Sequence, residues 1–186
     1  MSYFPAFIQL DGKRILIVGG GDVAYEKLLH LLDFTQNIDC IAEKFSDAMV
    51  LKMQEHYLHY EKRLYKRGDI VSYGIVVVAV DDITLQSEIF EESKSYKCLC
   101  NAVDSVKYCD FIFPSYIKRD DLTIAVSTSG ASPAVAKYLR RYLEGLIPQH
   151  IGAFLDEMRQ LRERLPKGKE RMKLLDEKAK KWFNSL

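Results

Sequence analysis

The chain has 186 residues with 27 Lys and Arg, 26 Asp and Glu, and a formal net charge of +1. This balance argues against nucleic acid as the main partner, because proteins that bind polyanions carry a basic excess. The apolar runs are too short and too interrupted to span a bilayer, so we expect no membrane partner. The first residues lack the basic and apolar regions of a signal peptide, which predicts a cytoplasmic location.

A run of three glycines follows the first predicted strand, Arg14–Val18, and a helix is predicted over Tyr25–Leu32. In this G-x-G-x-x-A pattern, Gly19 permits a tight turn and Gly21 lets the backbone approach a pyrophosphate. Ala24 is small enough for the helix to pack closely on the strand. The pattern predicts a dinucleotide-binding turn, because it stands between a strand and a helix. A glycine-rich turn that binds nothing is the alternative.

Two further features bear on the cofactor. Asp22 and Val23 stand just before the predicted helix and are candidate cofactor-binding residues, because the free N–H donors and the dipole at a helix N-terminus favour phosphate. Glu43 follows the second predicted strand, Ile38–Ala42, and a carboxylate there can accept both ribose hydroxyls of NAD. Lys44 beside it could instead accept the 2′-phosphate of NADP. We favour NAD, and the alternative is that both charges are merely solvated.

Strands and helices alternate up to about residue 101, which predicts an α/β fold with a Rossmann-like, doubly wound parallel sheet. The continuous apolar run Ile75–Val80 is typical of a central strand covered on both faces. The remaining predicted elements of this region are the helices Ser46–His56 and Ile83–Tyr96, the strand Cys98–Val103, and a short strand within Tyr57–Tyr65.

The pattern changes after this region. Two strands, Phe111–Ile117 and Leu122–Ser127, flank a predicted polar turn at Lys118–Asp121 and suggest a hairpin. Ser132 and Pro133 are a good cap and first residue for a helix that runs to about Leu146. The rest is helical, with a break near Pro166–Gly168. We therefore divide the chain into a dinucleotide-binding domain (1–113), a small strand-containing dimerisation segment (114–147) and a helical C-terminal region (148–186).

The four cysteines do not predict a metal site. Cys98 and Cys100 share one face of a strand, but no second Cys or His pair stands at the spacing of a zinc site. Cys40 and Cys98 lie in predicted buried strands, where a free cysteine behaves as a small hydrophobic residue.

Several separated motifs, in order, resemble the precorrin-2 dehydrogenase and sirohydrochlorin ferrochelatase family, which forms the N-terminal module of sirohaem synthases. The resemblance covers residues 1–152 in register. The matching segments are Phe7–Leu10, Ile17–Ala24 with Lys27, Asn101–Asp104, Phe111–Ser115, Ser127–Pro133 and Pro148–Gly152.

The resemblance implies NAD-dependent oxidation of precorrin-2 to sirohydrochlorin by a homodimer whose strands after the Rossmann domain are exchanged between subunits. Some members of the family also insert ferrous iron into the product. The sequence does not decide whether this chain does so, because one base could serve both reactions. An NAD(H)-sensing regulatory domain without catalysis is the alternative function.

Asp104 matches the family's catalytic aspartate. It follows a buried strand at the carboxyl edge of the sheet, where open α/β sheets bind ligands. We expect it to be partly buried and to accept the proton that leaves when a hydride passes to NAD. An aspartate that only stabilises the turn before Ser105 is the alternative.

The loop of small residues from Ser127 to Pro133 is a candidate substrate site, because such loops form anion cradles and the substrate carries many carboxylates. The expected substrate-binding residues are Ser127, Thr128, Ser129, Gly130 and Ser132. An ordinary helix cap at Ser132 is the alternative. Some relatives carry a phosphorylatable serine at the position of Thr128, so the resemblance leaves this regulation open here.

Overall fold

The computed structural model describes residues 3–185. They divide into two compact units, residues 3–112 and residues 113–185. The first unit alternates strands and helices along the chain. Its elements are β1 (Ile15–Val18), α1 (Asp22–Leu32), β2 (Ile38–Ala42), α2 (Asp47–Glu55), β3 (His59–Lys62), β4 (Ile75–Val78), α3 (Ile83–Ser95) and β5 (Leu99–Ala102).

The five parallel strands take the order β3-β2-β1-β4-β5. Val18 is in register with Ile41 of β2 and Val78 of β4, and Val78 is in register with Ala102 of β5. The chain therefore leaves these four strands at the same edge of the sheet. This topology confirms the predicted doubly wound sheet, and it places the switch point between β1 and β4, where ligands bind in such folds.

The core of this unit forms around β1 and β4. All eight residues of Ile15–Val18 and Ile75–Val78 are at most 3% exposed. Both strands are apolar throughout because helices cover both faces of a parallel sheet. Ala24 and Leu28 of α1 are fully buried, which fits the close packing expected of a small residue in the first turn. Burial of each large aliphatic side chain stabilises the fold by about 1.5–3 kcal/mol.

Helix α1 begins at Asp22, with Gly21 as its N-cap, rather than at the predicted Tyr25. The glycine turn is thus short, and the first helical turn directly follows it. The predicted strands at Ile75–Val80 and Cys98–Val103 are also shorter in the structure and end at Val78 and Ala102. Both strands therefore end at the carboxyl edge of the sheet, and the residues after Val78 and Ala102 belong to the loops at that edge.

The second unit consists of a hairpin and three helices. The hairpin strands β6 and β7 are antiparallel, and the helices follow them along the chain. The elements are β6 (Ser115–Arg119), β7 (Leu122–Val126), α4 (Pro133–Leu146), α5 (Ile151–Arg164) and α6 (Lys169–Phe183).

The predicted hairpin turn within Lys118–Asp121 is confirmed, but it is shorter than predicted, and the first strand of the hairpin starts at Ser115 rather than at Phe111. Strand β6 continues through Arg119, which pairs with Leu122 across a two-residue turn. Asp120 adopts a left-handed φ of 49° in that turn, a conformation that aspartate tolerates better than most residues. The Arg119 guanidinium donates to the carbonyl of Ile147 and, at 3.0 Å, to that of Glu144. These acceptors at the end of α4 explain why a charged residue completes the strand.

Helices α5 and α6 pack through aromatic side chains. Trp182 stacks on Phe154 with ring centroids 4.5 Å apart, and His150 meets the edge of the same indole at 5.5 Å. His150 therefore has a packing role at the start of α5. The helical C-terminal region and its break between Arg164 and Lys169 confirm the sequence prediction.

Candidate active site

Two of the three glycines are required by the packing of the chain itself. Gly19 has a φ of +132°, and a Cβ placed on it would lie 2.1 Å from the carbonyl oxygen of Ala79. A Cβ on Gly20 would lie 2.1 Å from the carbonyl oxygen of Lys44. Gly19 thus permits the predicted turn. The need for glycine at position 20 was not predicted, because it arises from a contact with the loop after β2.

Gly21 differs from both neighbours. A Cβ placed on it would meet no atom of the described chain within 4 Å. Gly21 is also the N-cap of α1 and supplies no side-chain acceptor, whereas Ser46 and Asp82 accept hydrogen bonds from the first turns of α2 and α3. Open space beside uncapped N–H groups suits a phosphate. The turn therefore fits the pyrophosphate of a dinucleotide.

The charged candidates lie on either side of this turn along the sheet edge. Glu43 and Lys44 follow β2, and both are exposed. Asp104 follows β5, which is two strands from β1 in the opposite direction. At a strand spacing of about 4.8 Å, Asp104 stands roughly 10 Å along the edge from the glycine turn. A dinucleotide whose phosphates lie at the turn can thus direct one ribose to Glu43 and its other end toward Asp104.

Asp104 occupies a tight turn just beyond β5. The Ser105 N–H donates to the Ala102 carbonyl at 3.2 Å, and Asp104 itself has a left-handed φ of 65°. The residue is exposed, so the expected partial burial is wrong for this structure. Exposure leaves the carboxylate free to meet a ligand, while the backbone conformation suits an aspartate in a purely structural turn as well.

Side chains that the sequence analysis did not single out hold this turn. The Ser105 hydroxyl donates to the side-chain oxygen of Gln86, and the amide nitrogen of Gln86 donates to the Val80 carbonyl at 2.7 Å. The Cys109 thiol donates to the Ala102 carbonyl at 3.1 Å. Burial raises the pKa of this thiol, which keeps it protonated as a donor. The feature of the sequence that could have pointed to this support is Gln86 itself, a polar residue at a buried position of α3.

A second support comes from Asp110 and Asn101. The Asp110 carboxylate accepts from the Cys100 N–H at 2.9 Å and pairs with Lys94 of α3. The buried Asn101 side chain donates to the Phe111 carbonyl at 2.7 Å. The Cys100–Asp110 and Asn101–Phe111 hydrogen bonds attach the segment that follows Asp104 to β5. The turn is thus fixed at both of its ends.

In the second unit, the Ser127–Pro133 loop is organised by its own hydroxyls. Thr128 Oγ1 accepts from the Ser132 N–H and donates to the Ser132 carbonyl, each at 3.1 Å. Ser127 Oγ accepts from the Ser129 N–H, also at 3.1 Å, and Ser132 Oγ caps α4 by accepting from Val135. Ser129 and Gly130 both have left-handed φ values. The Thr128 hydroxyl is thus a structural group of the loop.

The cysteines are free, and three of them, Cys40, Cys98 and Cys100, are buried. Within residues 3–185, no three His, Cys, Asp or Glu side chains come together in a group that could hold a metal ion.

None of the helices described for this chain is both long and apolar enough to cross a bilayer.

Comparison with known proteins gives two family matches. A family model described as putative NAD(P)-binding matches residues 6–115. A second model, described as sirohaem biosynthesis protein central, matches residues 119–146. The first covers the glycine turn, Glu43 and Asp104, and it confirms the predicted dinucleotide-binding character of this unit.

Relatives of known name are similar along most of this chain. A siroheme synthase of Mannheimia succiniciproducens is 33% identical over 182 residues, and one of Pseudoalteromonas translucida is 38% identical over 152 residues. These alignments cover 98% and 82% of this chain but only 38% and 32% of the two relatives. The chain thus spans less than two fifths of their length.

A solved structure has the same fold. It is described as SirC, precorrin-2 dehydrogenase, and it matches with a TM-score of 0.77 and 24% sequence identity. The match covers 94% of this chain and 88% of that one. The predicted fold class, including the hairpin and the helical C-terminal region, is thereby confirmed.

Proposed function

Since this chain belongs to the putative NAD(P)-binding family and is related along 98% of its length to a siroheme synthase, we propose that it catalyses the NAD-dependent oxidation of precorrin-2 to sirohydrochlorin. The observation that carries this proposal is the arrangement at one sheet edge. The uncapped start of α1, with open space at Gly21, lies two strands from the exposed carboxylate of Asp104. A candidate dinucleotide site and a candidate proton acceptor therefore lie along one edge of the sheet.

The reaction removes two hydrogens from the reduced tetrapyrrole. Bound NAD⁺ supplies the hydride acceptor, at C4 of its nicotinamide ring. The first N–H groups of α1, at Asp22 and Val23, would hold the pyrophosphate, and Glu43 would accept hydrogen bonds from the ribose hydroxyls. Asp104 takes the proton that leaves as the hydride departs, and it later releases this proton to water. The products are sirohydrochlorin, NADH and one proton.

Glu43 supports NAD as the preferred cofactor. A carboxylate just past β2 accepts two ribose hydroxyls but repels a 2′-phosphate. Lys44 is exposed beside it and is the residue that would favour NADP. We assign the choice to Glu43 because it stands directly at the end of the strand, where the ribose contact is made in folds of this topology.

The Ser127–Pro133 loop is proposed to bind carboxylates of the substrate. Ser127, Ser129 and Gly130 are exposed, and the two left-handed residues turn the backbone sharply. Backbone N–H groups in such turns and at a helix N-terminus favour anions. In this proposal Ser132 and Thr128 shape the loop, while the exposed Ser127, Ser129 and Gly130 contact the ligand.

We also propose that the protein is a homodimer, with α4 in the interface. Val135, Tyr138, Leu139, Tyr142 and Leu146 recur at helical spacing, and each is between 43% and 66% exposed. An apolar stripe of this kind on one helix face is typical of an interaction surface. The residues of α4 fall within the match to the sirohaem biosynthesis central model.

The direct test incubates the protein with precorrin-2 and NAD and follows the absorbance of sirohydrochlorin together with that of NADH. Equal formation of both products supports the proposal. NAD binding without turnover of precorrin-2 would contradict it and favour a sensing domain. Ferrous iron is then added as a substrate, because the same carboxylate could accept the protons released on metal insertion. Formation of sirohaem faster than in a protein-free control would assign the second activity.

A further inference from the structure

Gln86 is a polar side chain buried to 4% exposure in the second turn of α3. A buried amide costs free energy unless its hydrogen bonds are satisfied. Both the nitrogen and the oxygen of the Gln86 amide form hydrogen bonds. The nitrogen donates to the Val80 carbonyl at 2.7 Å, and the oxygen accepts from the Ser105 hydroxyl.

These two partners belong to different loops of the sheet edge. Val80 lies just after β4, and Ser105 lies directly after Asp104, beyond β5. β4 and β5 are adjacent in the sheet, and Gln86 joins the two segments where they leave it. Only a carboxamide supplies a donor and an acceptor at once in this shape. A carboxylate would set an oxygen against the Val80 carbonyl, and an apolar side chain would make neither bond.

We propose that Gln86 is a positioning residue of the dehydrogenation: through Ser105 it fixes the turn that presents Asp104 to the bound substrate. This inference rests on the proposed function. The turn needs such support because Asp104 is exposed and has a left-handed φ of 65°. Its own side chain is then free for the ligand, while Ser105 provides the attachment to the protein interior.

The expected effect follows from geometry. A general base must lie within hydrogen-bond reach of the proton that it accepts, and a misplacement of about 1 Å can lower the rate by about 100-fold. Neither hydrogen bond of the Gln86 amide is made to the glycine turn after β1 or to Glu43 after β2. Loss of its bonds should therefore lower kcat and leave NAD binding unchanged.

The experiment is a double-mutant cycle with Gln86→Met and Asp104→Asn, measured as kcat for precorrin-2 oxidation and as the Kd for NAD. Gln86→Met should lower kcat by about 10- to 100-fold in the Asp104 protein. In the Asp104→Asn background it should lower the residual rate no further, because the base that it positions is absent. Gln54→Met, at an exposed position of α2, is the matched control and should leave kcat unchanged.

Equal fold-losses in the two backgrounds would overturn the positioning role, as would a weakened Kd for NAD that accounts for the loss. Ser105→Ala provides the same test if Gln86→Met fails to fold, because it removes only one hydroxyl from a turn. A wild-type protein without precorrin-2 turnover would overturn the proposed function and this inference together. Wild-type turnover with additive losses would overturn this inference alone.

Discussion

Gly19 and Ala79 approach so closely that a Cβ on the glycine would lie 2.1 Å from the alanine carbonyl oxygen. This contact joins the ends of β1 and β4 at the switch point of the sheet. A Cβ on Gly21, two residues along, would meet no atom of residues 3–185 within 4 Å apart from its neighbours in the chain. The two glycines therefore serve different purposes, one for the fold and one for a ligand.

We accordingly expect Gly21→Val to abolish NAD binding without loss of the fold. The Cβ of the added side chain would enter the open space beside Gly21, which is where we expect the pyrophosphate. Isothermal calorimetry measures the binding, and thermal unfolding measures the stability. Gly19→Val is the contrasting variant and should unfold at a much lower temperature or not fold at all. Retained NAD affinity in Gly21→Val would contradict the assignment of this turn.

Glu43 should set the cofactor preference. We expect a higher kcat/KM with NAD than with NADP, and Glu43→Gln should shift that ratio toward NADP by about tenfold or more, since a hydrogen bond to a charged group contributes about 1.5–3 kcal/mol. Lys44→Gln should not reduce the use of NAD. A wild-type preference for NADP, lost in Lys44→Gln, would show that the lysine decides the choice.

Asp104→Asn tests the proton acceptor. Asparagine tolerates the left-handed conformation at this position, so the turn should persist while the base is lost. Oxidation of precorrin-2 should fall by about 10²–10⁴-fold, the usual contribution of a positioned general base. NAD affinity, measured by calorimetry, should be unchanged. Normal oxidation by the variant would leave Asp104 with only a structural role in its turn.

The apolar face of α4 predicts the oligomeric state. Tyr142→Glu places a charge in the proposed interface and should convert a dimer to a monomer, as measured by light scattering. Tyr57→Glu is the control, because Tyr57 is 95% exposed in the first unit, outside α4. A wild-type protein that is monomeric at micromolar concentration would refute the proposed interface.

The buried thiols predict a loss of stability in alkali. Burial raises the pKa of Cys40 and Cys100 to about 12 and that of Cys98 to about 11, from an ordinary value of 9.0. Because the raised values belong to the folded state, this stabilisation is complete below pH 9 and is lost as the pH rises toward 12. The urea midpoint should decline across that window, and a Cys40→Ala, Cys98→Ala, Cys100→Ala triple variant should decline less.

Sequence reasoning predicted the parts of the site that depend on local patterns. The order of strands and helices, the glycine turn and the polar residues at strand ends follow from periodicity and from the direction of parallel strands. The comparisons confirm the family resemblance and the fold that it implied. The roles of Asp104 and Glu43 stay predictions that the variants above test, and the substrate-binding role of the Ser127–Pro133 loop also stays a prediction.

What the sequence did not predict depends on partners far away in the chain. Gly20 is required because of Lys44, and Gln86 is satisfied by Ser105, which lies 19 residues further on. The sequence alone predicts Arg119 as part of a polar turn. In the structure it belongs to β6, because its guanidinium donates to the carbonyls of Glu144 and Ile147. No local pattern contains such contacts, since they exist only once the elements have packed.

On the proposed function, the missing side-chain cap of α1 would couple the stability of the protein to the supply of NAD. A ligand that completes this helix stabilises the folded form by RT ln(1 + [L]/Kd), which is about 2.7 kcal/mol at a hundredfold excess over Kd. A cell rich in NAD would thus protect the enzyme from proteases that attack opened chains. When the NAD concentration falls, molecules without cofactor would be degraded first, and the amount of enzyme would follow the supply of its oxidant.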